Sequence, residues 1–397
     1  MQYRKFGGLN WDVSALGFGA MRLPIIGKDS SKINEKQAIK MIRYSIDNGV
    51  NYLDTAYVYH RGNSEVTVGK ALKDGYREKI RLATKMPVRL VEKQEDLDAF
   101  FNTHLERLQT DYIDFYLLHG MRKSRWAQVD EFDILDWAEE KLDEGKIHYL
   151  GFSFHDNFQL FKEIIDAHDW TFCQIQLNYM DSEYQAGLDG LRYAADKGLA
   201  VVVMEPIKGG KLAVTPPKEV MEIWDRAENT RTPAEWALQW VWNHSEVSLA
   251  LSGMSELKHV EENVMYAERS GPGILTDDEL ALYEDVKDAY NRLGFVGCTA
   301  CQYCMPCPEG VDIPTILGYY NEYHLSGGSE QVKTKYWENI GVDNHASACI
   351  ACGNCEDKCP QQLPIRKFMN EATRIFKSSI IPSSNSARAI GALEGSK

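Results

Sequence analysis

Eight of the nine cysteines lie in two short runs near the carboxyl end, and both runs end in Cys-Pro. The second run has the spacing C-x2-C-x2-C-x3-C-P, which holds [4Fe–4S] clusters in small two-cluster electron carriers. The first run differs only in its last gap, Met305-Pro306, which is one residue shorter. Together the runs predict two [4Fe–4S] clusters and a function that involves electrons.

In paired runs of this kind, three cysteines of one run bind one cluster and the fourth, before proline, reaches the other cluster. The predicted ligand sets are Cys298, Cys301, Cys304 with Cys359, and Cys349, Cys352, Cys355 with Cys307. Zinc is the simpler alternative, but structural zinc sites usually pair two C-x2-C knuckles across a longer gap. Disulfides are disfavoured because nothing in the sequence indicates secretion. The ninth cysteine, Cys173, lies in an apolar stretch and is expected in the core.

A second set of reactive side chains follows consecutive predicted strands in the first half of the chain. Asp54, Lys85 and His119 end three strands, and Tyr59 lies in the loop after the first of them. A lysine ammonium favours the phenolate of a nearby tyrosine, whose pKa is otherwise about 10, and an aspartate keeps that lysine charged. A histidine can hydrogen-bond a carbonyl oxygen or join a proton relay. The set therefore suits protonation of an alkoxide while a hydride reaches carbon.

Each of these residues also has a simpler interpretation. A buried Asp–Lys pair is often structural, a histidine at a strand end is often a core residue, and the chain has 20 tyrosines. The combination of four complementary side chains at consecutive strand ends favours chemistry. Nearby, His155 is either a substrate contact or a surface histidine.

The elements that would position these residues alternate between β-rich runs and amphipathic helical stretches. The predicted strands are Ala15–Met21, Asn51–Ala56, Arg81–Lys85, Ile113–Leu118, His148–Ser153, Phe172–Leu177, Ala200–Met204 and Ser248–Leu251. The predicted helices are Glu35–Asp47, Glu65–Lys73, Glu95–Leu108, Ile134–Glu144, Phe158–Ala167, Gly187–Lys197, Pro233–Asn243 and Leu257–Ala267. Eight β/α units over roughly 250 residues indicate an α/β fold of the closed (β/α)8 TIM barrel type. An open doubly wound sheet is the alternative, but Gly17-x-Gly19 lacks the third glycine and the helix start that a dinucleotide fingerprint requires.

The sequence predicts three parts. Residues 1–275 form the barrel, with a hairpin over Tyr3–Ser14 at its floor, and residues 276–375 form a small α-helical, ferredoxin-like dicluster domain with a linking helix. Ile313–Tyr323 is predicted as a helix of that domain. Residues 376–397 are rich in Ser, Ala and Gly and are expected to be a flexible tail.

Charge and hydropathy limit the partners. The net charge is −14 with no cluster of Lys or Arg, which argues against a nucleic acid or an anionic membrane as partner. The first residues do not resemble a signal peptide, and no apolar run approaches the ~20 residues of a membrane span. We therefore expect a cytoplasmic location, which also suits oxygen-sensitive clusters.

The motifs Asp54-Thr55-Ala56-x-x-Tyr59, Lys85 after a β-run and Leu117-Leu118-His119 resemble the aldo/keto reductase family. The resemblance covers about residues 1–270, and with the cysteine runs the chain resembles the members fused to a ferredoxin-type domain. It implies that the family's catalytic tetrad falls on Asp54, Tyr59, Lys85 and His119. It also implies NAD(P)H bound across the barrel mouth without a Rossmann fold.

By the same resemblance, a dozen residues would contact the cofactor: Met21, Arg22, Ser153, Gln174, Met204, Glu205, Pro206, Gly253, Met254, His259, Glu262 and Asn263. Met204 stands where many members stack an aromatic ring on the nicotinamide. His259 stands where the usual arginine binds the 2′-phosphate, so the choice between NADP and NAD stays open. Phe154 follows Ser153 where many relatives have asparagine.

Three functions remain open. The first is an NAD(P)H-linked oxidoreductase that interconverts a small-molecule carbonyl and an alcohol, with Tyr59 as general acid/base. The second is an iron–sulfur electron-transfer enzyme whose barrel holds a flavin or a substrate reduced by single electrons, with a ferredoxin or another redox partner. A flavin would be needed to split the electron pair of a nicotinamide between one-electron clusters. In the third, the clusters only hold a carboxyl-terminal lid in place. The sequence does not indicate the substrate.

Overall fold

The protein divides into two compact units. The computed structural model describes residues 1–27 and 29–377, apart from the side chain of Val342. One unit comprises Met1–Cys301 and the other Gln302–Lys397. The tail predicted over residues 376–397 lies outside the described residues from 378 onward.

The first unit is built on a closed barrel of eight parallel strands, as predicted. In chain order the strands are β1 (Tyr3–Lys5), β2 (Asp12–Ser14), β3 (Leu16–Gly19), β4 (Tyr52–Asp54), β5 (Arg81–Met86), β6 (Ile113–Met121), β7 (Ile147–Phe154), β8 (Phe172–Gln176), β9 (Ala200–Met204) and β10 (Val247–Gly253). Strands β1 and β2 pair as an antiparallel hairpin, while β3 to β10 follow one another around the barrel and β10 closes onto β3. The carboxyl ends of all barrel strands therefore meet at one mouth.

Helices connect the barrel strands and continue into the second unit. Those of the first unit are α1 (Glu35–Asp47), α2 (Asn63–Ala71), α3 (Glu95–Leu108), α4 (Lys123–Glu131), α5 (Ile134–Asp143), α6 (Phe158–Asp166), α7 (Gly187–Asp196), α8 (Lys218–Trp224), α9 (Pro233–Trp242), α10 (Leu257–Glu268) and α11 (Asp277–Arg292). The second unit contains α12 (Ile313–Leu325), α13 (Glu330–Asn339), α14 (Asn354–Lys358) and α15 (Ile365–Ile375). The predicted helices are confirmed within a few residues at each end. The sequence missed α4, which buries only Trp126 and Val129, and the short α8. It also missed α13, α14 and α15 of the second unit.

Side-chain caps fix several helix starts, among them those of α11 and α9. At α11 the Thr276 hydroxyl accepts the Glu279 N–H at 3.2 Å, and the Glu279 carboxylate accepts the Thr276 N–H at 3.1 Å, which completes a capping box. At α9 only half of such a box forms. Thr232 accepts the Glu235 N–H at 3.1 Å, but the Glu235 carboxylate pairs with Arg269 at 2.9 Å instead.

The amino-terminal hairpin closes the barrel at the end opposite the mouth, as predicted. Phe6 is fully buried, and its ring centroid lies 4.7 Å from that of Phe115 and 5.7 Å from that of Phe172. Gly7 follows with φ +52°, where a Cβ would lie 2.5 Å from the Ala200 nitrogen. Only glycine fits so close to the barrel backbone with this φ.

Helix α11 belongs to the first unit, which differs from the predicted boundary after residue 275. The Tyr283 hydroxyl donates to the Trp236 carbonyl at 2.8 Å, and its ring lies 5.0 Å from that of Trp224. This aromatic contact with α8 and α9 holds α11 against the barrel. The division between the units falls later, between Cys301 and Gln302.

The second unit is helical between its cysteines, and the predicted helix Ile313–Tyr323 is found as α12. Its aromatic core includes Tyr336 and Phe376, whose rings stack at 4.1 Å. Among the residues described in either unit, no helix is long and apolar enough to cross a membrane.

Candidate active site and cluster site

The four predicted catalytic residues lie on neighbouring elements at the barrel mouth. Asp54 is the last residue of β4, Lys85 lies near the end of β5, and His119 lies near the end of β6. Tyr59 begins the short 3-10 turn Tyr59–Gly62 that follows β4. Since β4, β5 and β6 are adjacent in the barrel, their ends converge.

Lys85 is held by two acceptors in a dry environment. Its ammonium donates to Asp54 Oδ1 at 2.5 Å and to the Thr55 carbonyl at 2.7 Å. The side chains of Lys85 and Asp54 are only 1% and 2% exposed. Burial raises the pKa of Asp54 and lowers the pKa of Lys85, while their mutual attraction opposes both shifts.

Tyr59 lies beside this ion pair. The Lys85 Nζ is 5.0 Å from the centroid of the Tyr59 ring. On its other side the ring meets His119 edge-on, with the ring centroids 5.9 Å apart. The structure thus brings a phenol, a cation, a carboxylate and an imidazole into one cluster.

His119 is held neutral by its surroundings. Burial is the largest cause that lowers its pKa well below the ordinary value, and the positive charges of Lys85 and Arg125 act in the same direction. The Arg125 guanidinium donates to the carbonyl oxygens of His119 and Gly120. Sequence reasoning missed Arg125, although Arg122-x-x-Arg125 directly after a strand end was a usable signal. A neutral imidazole can donate a hydrogen bond without losing charge.

His155 lies next to this cluster and is buried, so its interpretation as a surface histidine is wrong. Its Nδ1 is 3.3 Å from Gln185 Oε1. Burial is the main cause that lowers the pKa of His155 to about 3. The residue therefore adds a second neutral imidazole to the mouth.

Ser153 and Gln174 are paired across β7 and β8, and both are buried. The Ser153 hydroxyl accepts the Gly120 N–H at 2.7 Å. Gln174 Oε1 is buried and has no hydrogen-bond partner among the described residues. An unsatisfied buried oxygen costs about 1–3 kcal/mol. The pair therefore fits the carboxamide of a nicotinamide, which can donate to Gln174.

Arg22 joins the loop after β3 to the loop after β9. Its Nη2 lies 3.5 Å from Glu205 Oε1 and donates to the Thr299 carbonyl at 2.7 Å. Burial raises the pKa of Glu205, and the Arg22 charge opposes this shift. Of the other predicted residues, Met21 follows β3, Met204 is the last residue of β9, and Pro206 lies in the loop after β9.

The end of β10 also reaches the mouth. A Cβ at Gly253 would lie 3.2 Å from the Arg22 side chain, so the glycine leaves room for Arg22. Asn263 donates to the Ser252 hydroxyl at 3.0 Å, and both side chains are buried. Gly253 therefore lies beside Arg22, and Asn263 lies beside β10.

Other predicted cofactor residues are less well placed. Met254 is 1% exposed and packs within the main hydrophobic core. His259 is exposed on α10, and Glu262 pairs with Lys258 at 3.5 Å on that helix. Both residues lie on α10, and their contact with the cofactor stays a prediction.

Cysteines from both runs surround one pocket in the second unit. The thiols that line it are those of Cys304, Cys307, Cys349, Cys352 and Cys355. They include Cys307, which is predicted to cross from the first run, and also Cys304, which is predicted to bind the other cluster. Across residues 1–27 and 29–377, no three His, Cys, Asp or Glu side chains converge to hold a single metal ion. Cysteines of both runs thus line one space, which suits a cubane cluster.

The two runs share a local geometry. Ala300 N–H lies 3.4 Å from Cys298 Sγ, and Ala351 N–H lies 3.4 Å from Cys349 Sγ. Backbone N–H groups aimed at sulfur are one of the means by which proteins tune iron–sulfur clusters. Cys298 and Cys301 belong to the first unit, while Cys359 is buried in the second. The ligand set that joins them with Cys304 stays a prediction.

Comparisons with known proteins find a match for the barrel part and another for the cysteine-rich part of the chain. The model of the "Aldo/keto reductase family" matches residues 15–282, and that of the "4Fe-4S dicluster domain" matches residues 297–363. The "Probable aldo-keto reductase 1" of Glycine max is 27% identical over 66% of this chain and 82% of its own length. The oxidoreductase YqkF of Bacillus subtilis is 28% identical over 70% of this chain and 94% of its own length.

Solved structures share the fold of the first unit. The holo form of aldo-keto reductase AKR11C1 from Bacillus halodurans is 30% identical and has a TM-score of 0.60. The match covers 72% of this chain and 96% of that one. A Klebsiella pneumoniae aldo-keto reductase in complex with NADPH has a TM-score of 0.57 at 23% identity, which shows the fold alone. The chain thus belongs to the aldo/keto reductase family of NAD(P)-dependent oxidoreductases and carries a 4Fe-4S dicluster domain.

Proposed function

We propose that the protein interconverts a small-molecule carbonyl and an alcohol with NADPH or NADH, and that Tyr59 is the general acid and base. The observation that carries this proposal is the buried Lys85, held by Asp54 and facing the ring of Tyr59, which also meets His119. A buried ion pair is rarely a source of net stability. Its place at the mouth, beside a phenol, favours a chemical role.

The four side chains divide the chemistry between them. When bound, the reduced nicotinamide supplies a hydride to the carbonyl carbon. Tyr59 gives its phenolic proton to the resulting alkoxide, and the Lys85 ammonium stabilises the phenolate that remains. His119, which is neutral, donates a hydrogen bond to the same oxygen. Asp54 keeps Lys85 charged, and in the reverse reaction Tyr59 accepts the proton.

The cofactor site that we propose lies across the mouth. Ser153 and Gln174 would hold the carboxamide, supported by the unpartnered Gln174 Oε1, and Arg22 would meet a phosphate. For the dicluster domain we propose two [4Fe–4S] clusters, with Cys307 crossing to the second run as the cysteine spacing predicts; Cys307 lines a pocket together with cysteines of that run. Such clusters carry one electron each and supply electron transfer or structural support.

A second function is favoured by one observation. The segment with Cys298 and Cys301 is attached to Arg22 at the barrel mouth through Thr299. This attachment suits exchange of electrons between the clusters and the barrel, with a flavin or a one-electron substrate in the barrel and a ferredoxin-like partner outside. It is the alternative to a hydride enzyme whose clusters act separately.

Transfer of deuterium distinguishes the two functions. The anaerobic, cluster-loaded protein is incubated with C4-deuterated NADPH or NADH and a panel of aldehydes and ketones. We expect deuterium on the carbinol carbon of a product, with the iron–sulfur absorption unchanged. Bleaching of that absorption without deuterium transfer would instead support the electron-transfer enzyme.

A further inference from the structure

The residues just before and within the first cysteine run form an anchor segment, Phe295–Cys301, which is fixed to loops at the barrel mouth. Its Thr299 is 1% exposed, and the Thr299 carbonyl accepts a hydrogen bond from Arg22 at 2.7 Å. At the other end, the Lys211 ammonium lies 4.9 Å from the centroid of the Phe295 ring. The anchor segment is therefore part of the first unit and touches the loops after β3 and β9.

Two neighbouring glycines of the loop after β9 show how close this approach is. A Cβ at Gly209 would lie 2.8 Å from the Thr299 Cα and nearer still to its carbonyl oxygen. A Cβ at Gly210 would meet nothing within 4 Å. Both glycines have positive φ, +66° and +91°. Alanine thus strains the backbone at either position but displaces the anchor segment only at Gly209.

Arg22 makes these contacts with one of its nitrogens. Nη2 donates to both Thr299 and Glu205, whereas Nε and Nη1 have no hydrogen-bond partner among the described residues. A guanidinium that is fixed in place and retains free donors is well suited to a phosphate oxygen. The anchor segment thus orients the donors that a nucleotide phosphate would use.

We propose that the anchor segment couples cluster binding at Cys298 and Cys301 to nucleotide binding, with Arg22 as the positioning residue between them. The proposal rests on the proposed function, because it takes the barrel mouth as the nucleotide site. A loaded cluster orders the segment, the segment orients Arg22, and the nucleotide then binds more tightly. Coupling between two binding sites is reciprocal, so the nucleotide also stabilises the cluster. Loss of one hydrogen bond to a charged group corresponds to about tenfold in affinity.

The test uses anaerobic, full-length, cluster-loaded wild type, Gly209→Ala and, as the matched control, Gly210→Ala. Two quantities are measured: the dissociation constant of NADPH and of NADH by fluorescence titration, and the rate of iron release to a chelator with and without saturating nucleotide. We expect nucleotide to slow iron release about tenfold in wild type and Gly210→Ala. In Gly209→Ala we expect about tenfold weaker nucleotide binding and little protection of the iron.

The outcomes separate this proposal from the proposed function. Nucleotide that binds wild type without slowing iron release would overturn the coupling and leave the reductase proposal intact. Failure of wild type to bind either nucleotide would overturn both. Should Gly209→Ala not fold, amide hydrogen exchange of wild type decides: exchange in residues 295–301 must slow when nucleotide binds, and unchanged exchange overturns the coupling.

Discussion

Replacement of Asp54 by asparagine tests the buried ion pair on which the proposed chemistry depends. The substitution keeps the shape of the side chain and removes its charge. Lys85 then stays buried with two neutral acceptors, the Thr55 carbonyl and the amide oxygen that replaces a carboxylate oxygen of Asp54. Burial already lowers the pKa of Lys85, and without Asp54 nothing comparable opposes that shift.

The size of the effect follows from the cost of the unpaired charge. Breaking a buried ion pair by removing one partner typically costs about 3–5 kcal/mol. The loss in free energy of unfolding has an upper limit, because Lys85 can lose its proton rather than remain charged and unpaired. The ordinary lysine pKa of about 10.4 lies about 3.4 pH units above pH 7, and each unit is worth about 1.36 kcal/mol, so neutralisation costs about 4.6 kcal/mol at most. We therefore expect the free energy of unfolding of Asp54→Asn to be about 3–4.6 kcal/mol lower than that of wild type at pH 7.

The loss should shrink as the pH rises. Where the folded variant holds a neutral Lys85, the unfolded state still binds the extra proton up to a pH of about 10. Stability rises with pH wherever the unfolded state binds more protons. The upper limit on the loss therefore falls by about 1.36 kcal/mol per pH unit above pH 7, and the free energy of unfolding of Asp54→Asn should approach that of wild type by about pH 10.

Urea unfolding followed by tryptophan fluorescence measures this difference, since eight of the nine tryptophans belong to the first unit. The matched control is Asp12→Asn. Asp12 pairs with Lys5 at 2.7 Å, but the two side chains are 56% and 69% exposed. Such a surface pair is worth at most about 1 kcal/mol. Equal unfolding midpoints for Asp54→Asn, Asp12→Asn and wild type would refute the claim that Asp54 and Lys85 form a buried ion pair.

Three further predictions concern the cofactor, the clusters and the histidine. Gln174→Leu should weaken nucleotide binding about tenfold in a fluorescence titration, because the amide oxygen no longer accepts from the ligand; an unchanged dissociation constant contradicts this role. Cys307→Ser should lower the iron content from about eight to about four per chain, whereas Cys173→Ser should leave it unchanged; full iron in Cys307→Ser contradicts the crossing ligand. His119 should add no step to the pH profile of kcat/KM between about pH 5 and 8, because its pKa lies well below its ordinary value; a step that His119→Asn removes would show that the imidazole titrates.

The sequence was most informative where local pattern decides the structure. All eight barrel strands were predictable from β-rich runs bounded by glycine and helix caps. Predicting these strands also placed Asp54, Lys85 and His119 at strand ends. The spacing predicts that Cys307 crosses to the second run, and Cys307 lines a pocket together with cysteines of that run. These features depend on short stretches of chain whose periodicity is visible.

The features that were missed depend on distant contacts. The bond between Arg22 and Thr299 joins residues 277 positions apart, which no local pattern reveals. The predicted boundary after residue 275 failed to anticipate that Tyr283 packs on Trp224 and Trp236. Arg125 is an exception, because its carbonyl partners His119 and Gly120 are only six and five residues away. It was missed because it lies on α4, a helix with too few apolar residues to show a period.

The most direct test of the central claim is the anaerobic turnover of Tyr59→Phe with the carbonyl substrate that wild type reduces best. General acid–base catalysis contributes about 10²–10⁴-fold, so turnover should fall by that factor while iron content and nucleotide affinity stay unchanged. Tyr57→Phe is the matched control, since the Tyr57 ring packs on Phe100 5.0 Å away rather than on Lys85. Turnover of Tyr59→Phe within a few-fold of wild type would contradict the account, because the proton would then come from another group.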